Sequence, residues 1–86
     1  MTDREIGFEA CINAIGRDFY YSHKEHSVFS CGEEEKGLLC YLGINTGEDS
    51  TSGLRLTNDA KWEYSASCYV NDGKVVMDFV KAPTFL

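Results

Sequence analysis

Eighty-six residues with a net charge of −6, 43% apolar residues and a single proline describe one small globular domain, 1–86, and not a disordered chain. One core of this size leaves little room for a deep catalytic cleft, and fourteen acids against eight bases repel a phosphate backbone, so direct nucleic-acid binding is not expected. The charge is spread along the chain, with eight acids in residues 1–37 and six in residues 38–86.

The first element reads as an amphipathic helix. Thr2 and Glu5 match a T-x-x-E capping box, in which each satisfies a donor of the other. Phe8, Cys11, Ile12, Ile15 and Phe19 recur at helical spacing and form one apolar stripe, supported by Ala10 and Ala14. Gly7 and Gly16 each weaken such a helix by ~1 kcal/mol, and they are read as places where a neighbour comes close. The helix is expected to end near Tyr21.

Strands follow. HSVFSC at 26–31 is a short strand, and CGEEEKGLLC at 31–40 turns it back. With Glu35-Lys36 at the tip, Cys31 falls opposite Cys40 and Phe29 opposite Leu42, which keeps all four on one face. In LLCYLGIN at 38–45, Leu38, Cys40, Leu42 and Ile44 share that face, and Leu39, Tyr41 and Gly43 share the other. TGEDSTSG at 46–53 is a loop by composition. Leu54 and Leu56 alternate within a short strand that leads to Trp62. In KWEYSASCYV at 61–70, Trp62, Tyr64, Ala66, Cys68 and Val70 alternate with polar residues. Asp72-Gly73 then marks a two-residue hairpin. That turn sets Val70 against Val75, Cys68 against Met77 and Ala66 against Phe79; Tyr69, Ser67 and Ser65 meet Val76, Asp78 and Val80. The architecture implied is α+β: one N-terminal amphipathic helix packed on a four- to five-stranded antiparallel sheet.

No targeting or membrane segment is expected. MTDREIGFEA has no basic stretch followed by an apolar one, and LLCYLGI is far short of the ~20 residues a membrane helix needs. The chain is therefore read as cytoplasmic, with its four cysteines reduced.

Motifs for chemistry are sparse. His23, His26, Cys31 and Cys40 are the one set that offers four zinc ligands, and a zinc or small-molecule site built on them is the alternative reading. Cys11, Cys40 and Cys68 fit apolar stripes as small hydrophobes. The three glutamates after Cys31 disfavour a reactive thiolate. No phosphate cradle or nucleic-acid motif occurs, and nothing in the sequence forces His26 and Cys31 together as base and nucleophile. The expectation is a chain that is not an enzyme and holds no cofactor.

Two surfaces remain. The sheet face away from the helix carries Leu39, Tyr41, Tyr69, Val76 and Val80 inside a polar rim, which is the composition of a protein interface. Self-pairing into a homodimer through this face is one expectation. Glu33, Glu34, Glu35, Glu48 and Asp49 give an acidic edge able to engage a basic, nucleic-acid-binding protein by competing for its lysines and arginines. In size, charge and lack of catalytic residues the chain is similar to small inhibitors encoded by phages and mobile elements, anti-CRISPR proteins among them. It carries no motif of any such family.

Overall fold

Helix α1, Asp3–Ile15, begins where the capping box places it in the computed structural model, which describes residues 1–46 and 62–84. The Glu5 backbone N–H donates to Thr2 Oγ1 at 3.2 Å, and the Thr2 backbone N–H donates to Glu5 Oε1 at 2.9 Å. These bonds serve donors that no carbonyl of the helix can reach. The bond from the Thr2 backbone holds the Glu5 carboxyl below its ordinary pKa.

The single helix expected to reach Tyr21 is instead two. Gly16 takes φ 121° and ψ 113°, a conformation open to glycine, and helix α2 restarts as Arg17–His23. Gly16 is thus a joint, not a packing contact. An ion pair between Arg17 and Glu9 spans it. The bend carries Phe19 onto Tyr64, with ring centroids 5.3 Å apart, while Phe8 sits 5.0 Å from Phe29. A turn of 3-10 helix, Lys24–His26, then leads into the sheet.

The sheet is an antiparallel meander of β1 (Ser27–Glu34), β2 (Gly37–Ile44), β3 (Tyr64–Asn71) and β4 (Lys74–Lys81), in that spatial order. The strand expected around Leu54 and Leu56 lies outside the described residues. The α+β architecture stands, with four strands among the described residues and a short second helix added.

The first hairpin has the expected register, with Cys31 opposite Cys40 and Phe29 opposite Leu42. Pairing continues to Glu34 and Gly37, so β1 is longer than its apolar segment. A two-residue turn makes Glu34 and Gly37 a hydrogen-bonded pair; counting back by alternation, Cys31 and Cys40 are a pair without mutual hydrogen bonds, where side chains approach most closely. Their Cα atoms are 4.1 Å apart and a disulfide joins them. The register expected from the sequence already makes these two cross-strand neighbours close enough to oxidise, and they are bonded here although reduced thiols are expected in a cell; Cys11 and Cys68 are free and buried.

The second hairpin turns on Asp72 (φ 51°) and Gly73 (φ 77°), as a primed two-residue turn requires. Val70–Val75, Tyr69–Val76 and Cys68–Met77 pair as expected. Beyond them a β-bulge leaves Asp78 out of the ladder, so that Ser67 meets Phe79 and Ala66 meets Val80. The expected pairs Ala66–Phe79 and Ser65–Val80 are therefore one residue off. Val80 moves to the helix side of the sheet and Phe79 to the opposite, outer face. The Asp78 carboxylate accepts a hydrogen bond from the Ser67 hydroxyl at 3.3 Å, which gives the extra residue a partner.

The core lies between α1 and the middle of the sheet. Cys11, Ile12 and Ile15 pack on Cys40, Leu42, Ile44, Ala66, Cys68 and Val70, and all nine are essentially inaccessible. Trp62 was expected on this face as well. Its ring instead covers Gly43 on the outer face, where a Cβ would stand 2.5 Å from Trp62 Cδ2. The cause is local. Asn45 Oδ1 accepts the Glu63 N–H at 2.8 Å, and the Glu63 carboxylate takes the Thr46 N–H at 2.6 Å and hydroxyl at 3.0 Å. This clamp holds Trp62 and Glu63 ahead of the strand, which starts at Tyr64.

Candidate interaction surface

The register places the expected outer-face residues in two rows. One runs Gly32, Leu39, Tyr69, Val76, and the other Ser30, Tyr41, Ser67, Phe79. Tyr41 and Tyr69 are half-buried, with Lys36 Nζ 5.7 Å from the Tyr69 ring centroid. Ser67 is buried between them and β4. The structure thus brings Tyr41, Tyr69 and Val76 onto one face, and the bulge adds Phe79 at the edge.

Strand β4 differs from the other three. Every residue of it is exposed. Val75 (37%), Val76 (67%), Met77 (40%), Phe79 (53%) and Val80 (43%) are most of the large apolar side chains left accessible among the described residues. Two features cause this. The meander makes β4 an edge strand, and α1 packs chiefly on β2 and β3. The alternation in KVVMDFVK reads as a half-buried strand. Only its place as the last strand of a meander would have marked it as an open edge.

The acidic edge is partly assembled. Glu33 and Glu34 end β1, Glu35 sits in the turn, and all three are exposed. Glu48 and Asp49 lie outside the described residues. The structure adds Asp3, which lines one shallow depression with Glu33, Glu34, Leu38 and Asn71. Asp3 is fixed there by accepting the Gly73 N–H at 3.2 Å. The helix start was visible in the sequence, but its docking beside both turns was not.

The zinc set is not brought together. Cys31 and Cys40 are spent in the disulfide, whereas zinc takes thiolates. His23 lies on Phe19, with its Nδ1 3.0 Å from the Phe19 carbonyl oxygen. Among the described residues, no three His, Cys, Asp or Glu side chains are grouped to hold a metal ion. The two thiols touch in the core, with Cys11 Sγ 4.0 Å from Cys68 Sγ. Burial pushes the Cys11 thiol up to about 12 and also raises Cys68. Both stay protonated, which suits packing and disfavours nucleophilic attack.

Comparison with protein-family models, with curated proteins and with solved structures finds no match for this chain. No helix among the described residues is long and apolar enough to cross a membrane.

Proposed function

We propose that this chain is a non-enzymatic interaction module that binds a protein partner through β4 and the outer sheet face beside it. The exposure of β4 carries this reading: five apolar side chains gather along one edge strand, and the two on the outer face, Val76 and Phe79, continue the rows of Tyr69 and Tyr41. Concentrated apolar surface of this kind marks binding sites. An open edge also offers main-chain donors and acceptors to an added strand. The proposed setting is cytoplasmic. Reductants there would reach the disulfide through half-buried Cys31, and binding through β4 would not depend on that bond.

The acidic end favours a second reading. Asp3 beside Glu33 and Glu34 presents negative charge from two elements at once. An inhibitor of the phage or mobile-element kind would use it to occupy the basic groove of a nucleic-acid-binding protein.

One experiment separates the readings. Wild type, Val76→Lys, and the triple variant Glu33→Lys, Glu34→Lys and Glu35→Lys serve as baits in a lysate, with captured proteins quantified by mass spectrometry. A prey lost only from the Val76→Lys bait supports the β4 contact. A prey lost only from the triple variant supports the acidic contact, and preys unaffected by either overturn both.

A further inference from the structure

We infer that β4 pairs with β4 of a second copy of this chain, antiparallel, about a two-fold axis through Val76, joining two sheets into one. The inference rests on the reading that β4 is the contact, and it names the partner.

The hairpin turn decides which backbone groups are free. Asn71 and Lys74 close a two-residue turn and so exchange hydrogen bonds. By alternation Tyr69 and Val76 are bonded to each other, whereas Val70–Val75 and Cys68–Met77 are not. The N–H and C=O groups of Val75 and Met77 therefore point away from β3, into the open edge. With Val76 on the axis, Val75 meets Met77 of the second copy, so outward-pointing groups face outward-pointing groups.

Charge selects the same register. Lys74 then falls opposite Asp78 of the second copy on each side of the axis, flanking the Val76 pair on the outer face. Centring on Asp78 would set two carboxylates against each other. Centring between Met77 and Asp78 would oppose Lys74 and Lys81. Centring on Met77 leaves both charges against apolar side chains. Terminal lysines and a bulge are the usual devices that blunt an edge. In the Val76 register the lysines do not meet, and the bulge stops pairing just after Asp78. The contact is isologous, so it closes at two copies and gives no fibre.

The pairing is short, which places it in the weak, concentration-dependent class of interfaces. Sedimentation velocity on a concentration series of the full chain reads it. Wild type should show reversible dimerisation, with the Val75 and Met77 amides exchanging more slowly as concentration rises. Lys74→Asp alone and Asp78→Lys alone should each weaken self-association about 10-fold, as reversing two exposed ion pairs predicts. An equimolar mixture of these two variants should dimerise again, because unlike charges then face each other at both positions. This mixture controls for folding, since each variant is rescued by the other. A wild type that is monomeric at millimolar concentration overturns the inference, and so does a mixture no tighter than its components. If that monomer still loses its prey on Val76→Lys, only the second-copy partner fails. If wild type dimerises and the mixture recovers, but no prey depends on Val76, the dimer stands and the separate partner fails.

Discussion

Gly7→Ala tests how tightly α1 sits on the sheet, because two effects of known size oppose each other there. Replacing a helical glycine by alanine stabilises a helix by ~1 kcal/mol when the site is open. At Gly7 the added Cβ would stand 2.5 Å from Cys40 Sγ, 3.0 Å from Cys40 Cβ and 3.3 Å from Val70 Cγ2. Comfortable carbon contacts lie near ~3.5–4.0 Å, so α1 must lift by roughly 1 Å. Cys40 cannot yield, since its Sγ is held by the disulfide and its Cβ by the central strand. Overpacking costs ~1–3 kcal/mol, and anchored neighbours put this site in the upper part of that range. The net effect is a loss of about 1–2 kcal/mol, or a melting temperature lower by about 5–15 °C for a domain this small. Thermal unfolding followed by circular dichroism without reductant measures it. Gly32→Ala is the control, since a Cβ there meets nothing within 4 Å; it should melt at or slightly above wild type. With reductant, Cys40 Sγ is freed to turn away and the Gly7→Ala deficit should shrink. A Gly7→Ala protein that melts at or above wild type with the disulfide intact would refute this packing.

Trp62 is the chain's one tryptophan; Gly43→Ala would place a Cβ 2.5–2.9 Å from three of its ring carbons, so its fluorescence should shift to the red as the indole is displaced, and an unchanged spectrum refutes its position over Gly43. The raised thiols make stability fall in alkali: with Cys11 at about 12 and Cys68 also raised when folded, against ~8.5–9 unfolded, stability is complete below about pH 9 and declines toward pH 12 by up to ~1.4 kcal/mol per unit per thiol. Urea titrations across that window should show a shallower decline for Cys11→Ala, and an equal slope would remove the thiols as its source.

Local patterns made most of the fold legible. Thr2 and Glu5 mark the helix start because a capping box uses only neighbours. Glu35-Lys36 and Asp72-Gly73 mark their hairpins because a one-residue slip would bury polar side chains. The misses are local irregularities. Gly16 as a joint and the bulge at Asp78 each insert a single irregular residue between segments whose own periodicity is intact, and Trp62 turns away just ahead of a strand that begins two residues later. Alternation on either side of Asp78 is correct, so period-2 reading cannot detect that the two halves are out of phase. For the surfaces, Tyr41, Tyr69 and Val76 were placed by register alone. Phe79 was hidden by the bulge, and Asp3 by a contact with Gly73 seventy positions away.

The exposure of β4 follows from dimensions. Strands lie ~4.8 Å apart, and a helix with its side chains is ~10 Å across, so one helix covers about two strands. The chain sets α1 over β2 and β3. β1 is reached by longer side chains: Phe8 packs against Phe29, and the Arg4 guanidinium lies 5.0 Å from the Phe29 centroid. Its edge also ends in Glu33 and Glu34, which discourage an added strand. β4 receives only the margin of α1, and its helix-side residues Val75, Met77 and Val80 stay partly exposed. A second copy supplies what the single helix cannot. In the Val76 register, Val75 and Met77 of each copy lie against Met77 and Val75 of the other on that same side, forming one apolar row between two α1 helices. The charges at Lys74 and Asp78 remain on the outer face, where water screens them. Affinity would then come mainly from the helix side of the sheet and register from the outer face, so Met77→Lys should abolish dimerisation that the Lys74→Asp and Asp78→Lys variants only weaken.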